Sequence, residues 1–247
     1  MRGLKELTWI NLKLYIREPI GTFFTLAFPP LLIVLFGAIY GNDPSPMFGG
    51  HGSMDVSMSG YTAIILSTVG FMNIPITIGN YRELGVLRRY QASALRPRVF
   101  ITADVIANML MLLLGLVLLV STGWLLHDVR FEGNVLSFVL GVICSGLAMF
   151  AFGYLIASLA PGARAAQVIG MVFFYPMMFL SGAAIPLEIM PDSIQHVADF
   201  LPLTYVVNLL RGLWFGDGWG QHLTAVLVLV GVFVVSAVAA VRIFRWE

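Results

Sequence analysis

ITADVIANMLMLLLGLVLLVSTGWLL, residues 101–126, decides the fold. Asp104 is the only charged residue in it, and it lies near one end. A helix needs about 20 mostly apolar residues to cross a hydrocarbon core of about 30 Å, and this stretch exceeds that. Five more stretches meet the same test: residues 20–40, 60–79, 135–159, 165–185 and 223–241. The whole chain agrees with them. Hydrophobic residues make up 59% and charged residues 11%, with a mean hydropathy of +0.89. A soluble domain is about 25% charged, so water could not solvate a surface made from this composition, whereas lipid can. The expected fold is therefore an all-α polytopic membrane protein, a single transmembrane domain over 1–247 with six transmembrane helices.

Charge placement orients the spans. Arg2, Lys5, Lys13 and Arg17 precede the first, and Arg82, Arg88, Arg89, Arg96 and Arg98 lie between the second and third. Arg164 follows the fourth, and Arg242 and Arg245 close the chain. With six spans all of these fall on one side, and only Arg130 and Arg211 fall on the other. Basic residues concentrate on the cytoplasmic side, so both termini are expected there, in a multi-pass protein of the cell (plasma) membrane. The net charge of +1 offers nothing to nucleic acid. Trp9, Trp124, Trp214, Trp219 and Trp246 fall near the span ends, as an aromatic belt would.

Other segments read less simply. Residues 1–19 form an amphipathic interfacial helix, with Leu4, Leu7, Ile10 and Leu14 on one face and Glu6, Lys13 and Arg17 on another. Pro19 then turns the chain inward. No signal-peptide cleavage pattern closes the apolar run that follows. Residues 41–59, rich in Gly, Pro, Ser and Met, read as a flexible outer loop. The stretch from Pro186 to Gln221 is broken by Pro186, Pro191 and Pro202 and carries Glu188, Asp192, Asp199, Arg211 and Asp217. Short re-entrant helices suit it better than a seventh span, provided protein buries their backbone. Cys144 is the only cysteine, so no intrachain disulfide exists, and the four histidines lack metal-ligand spacing. No metal site is expected.

The loop YRELGVLRRYQASALRPRVF, residues 81–100, carries the densest charge. A short helix over 83–93, with Leu84, Leu87 and Gln91 near one face, is too short to stand alone in water. It needs a docking partner, or else the loop only fixes topology and binds anionic headgroups. The residues alone leave both readings open. RELGVLRRYQAS resembles the cytoplasmic coupling helix of the ABC transporter type-2 permease family. FLSGAAIPLEIMPDSIQHVADFLPLTYVVNLLRG, residues 179–212, is similar to that family's re-entrant outer region. Ser181-Gly182, Pro186, Glu188, Met190-Pro191, the Leu201–Tyr205 run and Leu210-Arg211-Gly212 fall in the family's order and spacing. With the six spans, the resemblance covers nearly the whole chain, and it is nearest to the drug and antibiotic exporter branch.

The resemblance implies a mechanism. Two permeases pair, as identical copies or paralogues, and each sits on an ATP-binding cassette ATPase that binds ATP and Mg. The chain has no G-x-x-x-x-G-K-[ST] phosphate loop, so the ATPase must be a separate polypeptide. On this reading the chain binds no cofactor and has no catalytic residue. Coupling falls to Glu83, Leu84, Gly85, Leu87, Arg88 and Arg89 within the loop 82–98, with Gly85 allowing close backbone approach. The outer gate falls to Pro186, Glu188, Pro191, Pro202, Tyr205 and Arg211 within 186–212. Membrane lipids and the two kinds of protein subunit are the expected partners, in a prokaryotic cell. The implied function is efflux of a hydrophobic or amphipathic compound (a drug, an antibiotic or a lipid-like molecule).

Several residues bear on the alternatives. Pro29-Pro30, Pro75 and Pro176 interrupt helical hydrogen bonding within spans. Asp104 is expected to reach water or Arg98. Asn73, Asn80, Asn108, Gln167 and Asn208 are expected to hydrogen-bond between helices, and Arg211 to pair with Glu188 or Asp199. Phe23, Phe24, Phe28, Phe71, Phe173, Phe174 and Tyr175 are expected to pack or face lipid. Export of a lipid-linked glycan is the nearest alternative function. An ion-coupled secondary transporter would need paired carboxylates or a broken helix at mid-membrane, and Asp104 alone is poor support. A membrane enzyme would need a catalytic motif such as Gly-x-Ser-x-Gly or His-Glu-x-x-His, and the chain has neither.

Overall fold

The structure, a computed structural model, describes residues 2–92 and 97–243. Ser93, Arg96, Arg245 and Trp246 lie outside the described residues, as do the side chains of Gln91 and Arg98. Among the described residues no strand forms, and Pro44 and Gly52 make one isolated bridge. Among the described residues, six helices are long and apolar enough to cross a membrane: Phe23–Tyr40, Ser53–Glu83, Val99–His127, Val135–Leu159, Ala163–Leu180 and Trp219–Ile243. They are called here the first to sixth spans. The helix of the third extends back to Pro97. A helix over Arg2–Arg17 precedes them.

The second span is the axis of the bundle. In its most apolar window 83% of residues are buried, against 22% for the first, fifth and sixth spans, which present their apolar faces outward. Apolar length does not separate helices in lipid, so close approach through small residues does. A Cβ on Gly153 of the fourth span would lie 2.0 Å from the Gly70 carbonyl oxygen, and one on Gly170 of the fifth would lie 2.1 Å from that of Phe71. Glycine at these two points lets three backbones meet.

Proline explains why those carbonyls are available. Pro75 has no N–H to return to Phe71. The turn before it, Thr68–Asn73, winds as a π-helix, and Gly170 packs on the freed Phe71 carbonyl. Pro29 in the first span repeats the device. Phe23–Ala27 is a π-helix, and Gly115 of the third span packs on the carbonyl of Thr25. Local widening of this kind absorbs a lost hydrogen bond without ending the helix. Pro176 lies within the continuous helix Ala163–Leu180.

Five expectations need correction. The second span begins at Ser53 rather than near Gly60, because residues 53–59 are buried by protein rather than by lipid. The preceding loop is also tied down. The Asn42 side-chain oxygen accepts from the Met54 and Asp55 amides at 3.0 and 3.2 Å, and Asp55 accepts from the Arg130 amide at 2.9 Å. Trp214 is a core residue, not part of a belt. Its ring meets Phe131 and Phe138 edge-on, and its N–H donates to the Arg130 carbonyl at 2.9 Å. The N-terminal helix buries Leu7 and Asn11, whereas Ile10 and Leu14 are exposed. It packs on the third span, whose buried Asp104 and Asn108 favour polar neighbours that an apolar wheel overlooks. Finally, Asn73 bonds between helices, donating to Thr25 at 3.2 Å and to Tyr15, but Asn108 turns back onto Asp104 of its own helix. Asn80, Gln167 and Asn208 are exposed.

Candidate functional site

The second span ends at Glu83 and a new helix, Val86–Ala92, begins after a two-residue break. Leu84 and Gly85 make the break. Gly85 has φ +66°, the left-handed region that closes helices at low cost when no Cβ is present. A Cβ there would meet nothing within 4 Å. Within this chain, Gly85 therefore serves the turn. Glu83 belongs to the span rather than to the short helix. Leu84 and Leu87 part company: Leu84 is 69% exposed while Leu87 is fully buried in the bundle. Arg88 and Arg89 are exposed.

Beside this break the chain forms a clamp that the sequence did not disclose. The guanidinium of Arg82 donates to the Ala160 carbonyl at 2.6 Å and to the Ala157 carbonyl at 3.2 Å. These are among the last carbonyls of the fourth span, which lack helical partners. The carboxylate of Glu83 accepts from the Ala163 amide at 2.8 Å, at the start of the fifth span. The cation thus sits at a helix C-terminus and the anion at an N-terminus, each matched to the local dipole. The loop is drawn in closely: a Cβ on Gly79 would lie 2.6 Å from Ala163, and one on Gly162 would lie 2.4 Å from the Glu83 carboxylate. Adjacent residues of the second span therefore hold the ends of the fourth and fifth. The only sequence-level cue was Gly162 beside Pro161 in a short connection, facing an Arg-Glu pair far away in the chain.

Asp104 lies behind this end of the bundle and is 4% exposed. It accepts from the Tyr154 hydroxyl at 2.5 Å and from the Asn108 amide at 3.2 Å. Tyr154 on the fourth span thus anchors it, and the Arg98 side chain, expected as a partner, lies outside the described residues. A neutral hydroxyl satisfies one oxygen of the buried carboxylate here because the fourth span brings an aromatic side chain to the same depth.

At the opposite end the expected gate residues divide into two groups. Glu188 and Arg211 form an ion pair, and with Pro186 they line a recess of about 40 Å³ against the start of the second span. Pro191, Pro202 and Tyr205 instead shape two helices, Asp192–Ala198 and Pro202–Trp214. Pro191 precedes the first, and Pro202 opens the second, where a missing N–H is harmless. The Tyr205 hydroxyl donates to the Asp199 carbonyl at 2.8 Å, and that of Thr204 to the Ala198 carbonyl at 2.6 Å, locking the bend between the helices. The second helix is buried along most of its length. Arg211 selects Glu188 over Asp199, and Asp217 pairs with His222 at 3.0 Å.

Comparison with known proteins gives one consistent result. The family model described as ABC-2 type transporter matches residues 2–215. The chain is 23% identical over 235 residues to the putative transport permease ycf38 of Porphyra purpurea, covering 87% of this chain and 81% of that protein. It is 23% identical over 154 residues to the probable multidrug ABC transporter permease YbhR of Escherichia coli, covering 62% of this chain and 42% of YbhR. It is 26% identical over 205 residues to the inner membrane transport permease YhhJ of the same species, covering 77% of this chain and 53% of YhhJ. A large part of each of the last two proteins lies outside the match.

Proposed function

Because this chain belongs to the ABC-2 type transporter family, as a multi-pass permease, we propose that it exports a hydrophobic or amphipathic compound using a separate ATP-binding cassette ATPase. The observation that carries this reading is the clamp of Arg82 and Glu83 on the fourth and fifth spans, with Leu84, Arg88 and Arg89 exposed just beyond it. Exposed guanidinium groups suit carboxylates on a partner. The ATPase binds ATP and Mg and docks against this basic, cytoplasmic end. Its closure on nucleotide displaces the short helix Val86–Ala92. The turn at Leu84-Gly85 passes that displacement to Arg82 and Glu83, and the clamp passes it to the fourth and fifth spans together.

The fifth span runs directly into the outer region. Ser181 follows its last residue, and Glu188 and Arg211 stand a short way on. Movement of the fifth span strains or releases their ion pair, which makes the pair a natural latch for an outer gate. The exposed apolar side chains of the fifth span, Val168, Val172, Phe173, Tyr175 and Phe179, offer flat surface to a hydrophobic substrate when a second permease faces them. The likeness to a probable multidrug permease supports a drug-like cargo. The test is reconstitution with the partner ATPase in proteoliposomes. Arg88→Glu with Arg89→Glu should abolish transport and substrate-stimulated ATP hydrolysis. Unchanged rates for both would end this reading of the basic end.

A further inference from the structure

A second polar feature lies at the same end of the bundle but inside one subunit. The N-terminal helix, the second span and the third span enclose a cavity of about 150 Å³. Its floor is Asn11, Asp104 and Asn108, all buried. Tyr15 and Thr77 stand on its walls, and Glu18 and the exposed Asn80 lie at its rim. Two carboxylates face this space, and no lysine or arginine lines it among the described residues. Burial pushes the Glu18 carboxyl above its usual range, as expected where no cation compensates it.

The partners inside the cavity are incomplete. Both side-chain hydrogen bonds to Asp104 fall on Oδ2, and Oδ1 accepts none among the described residues. Asn11 is 6% exposed and lines the floor, yet its Nδ2 has no hydrogen-bond partner. A buried amide donor left unmatched costs about 1–3 kcal/mol, so such a group points to an absent acceptor. The space is large enough for several waters or a small head group. A metal ion is a poor fit: no group of three or more His, Cys, Asp or Glu able to hold one occurs among the described residues. The acceptors are instead carboxylate, hydroxyl and amide oxygens, which suit the three donors of a primary ammonium.

We propose that this cavity binds the protonated amine of a small amino-alcohol head group. Glu18 and Asp104 receive the ammonium, and the Asn11 amide donates to its hydroxyl oxygen. The site is separate from the apolar face of the fifth span and does not depend on the identity of the exported compound.

The test uses the full chain purified in detergent, with ethanolamine hydrochloride at neutral pH as the probe and thermal unfolding as the readout. Ethanolamine should raise the midpoint in a saturable way, beyond an equal concentration of sodium chloride, and ethylene glycol should not. Glu18→Gln removes a rim charge and Asn11→Ala removes the unmatched donor. Each should weaken the apparent affinity about tenfold, the equivalent of about 1.4 kcal/mol. Neither residue holds another helix through a hydrogen bond, unlike Asp104. A wild-type shift no larger than that of sodium chloride would overturn the proposal. So would an undiminished response in both variants.

Discussion

Replacing Arg82 with Met tests the clamp at its stronger half. Methionine keeps an unbranched apolar stem, so packing is largely preserved, and it removes every donor. Two of the interactions lost are hydrogen bonds from a charged group to carbonyls at 2.6 and 3.2 Å. A buried bond of this kind contributes about 1.5–3 kcal/mol. Arg82 is only half-buried and water can reach the helix end, so about 2 kcal/mol for the pair is a better figure. If this clamp carries motion from the ATPase, the same energy no longer ties the second span to the fourth. About 2 kcal/mol is about thirtyfold in an equilibrium constant. Transport per ATP hydrolysed should therefore fall by up to about thirtyfold, while basal hydrolysis by the partner stays near the wild-type rate. Paired transport and phosphate-release measurements on proteoliposomes give both numbers. Glu83→Gln keeps an acceptor for the Ala163 amide and loses only its charge, worth about 0.5 kcal/mol at a helix N-terminus, so it should uncouple far more weakly. Wild-type transport per ATP in Arg82→Met would refute the reasoning, because the clamp would then be mere scaffolding.

Other consequences follow from the packing. Gly153→Ala forces a Cβ to 2.0 Å from the Gly70 carbonyl oxygen and should destabilise by about 1–3 kcal/mol, seen as a lowered melting temperature. Gly85→Ala meets no clash but must hold φ +66°, so it should cost about 1–2 kcal/mol, and Gly85→Asn should cost less. Trp214→Phe leaves the Arg130 carbonyl without its indole donor and should lower stability by about 1–3 kcal/mol. Glu18 gives a pH signature. Its carboxyl is raised by burial above 4.5, so the stability it contributes is present below that pH and is lost as pH rises through the higher folded value. Glu18→Gln should abolish this loss, and the variant should gain on the wild type between acidic and neutral pH in thermal unfolding.

The spans were legible because lipid crossing is a one-dimensional requirement: a run such as residues 101–126 meets it whatever its neighbours do. Ser53–Ser59 escaped because its burial comes from other helices, and a hydropathy window registers only the lipid contribution. Trp214 was misplaced for the same reason: an aromatic near a span end looks identical whether it faces headgroups or Phe131. The Glu188–Arg211 pair was among the expected alternatives, since few charges exist in that region to choose from. The clamp was not legible. Arg82 donates to carbonyls, and Ala157 and Ala160 offer no side-chain chemistry that would mark them. The partner of Asp104 was hidden likewise, since one Tyr among eight carries no label of depth.

The central claim is that a separate ATPase meets the basic end of the bundle at the turn after the second span. A photo-crosslinking amino acid at Leu84, 69% exposed, probes that contact in native membranes. The same group at Phe200, 87% exposed at the opposite end, serves as the control. The account predicts a light-dependent product from Leu84 that contains a polypeptide with a phosphate-binding loop, and no such product from Phe200. Absence of that polypeptide from the Leu84 product, or equal capture from Phe200, would contradict it.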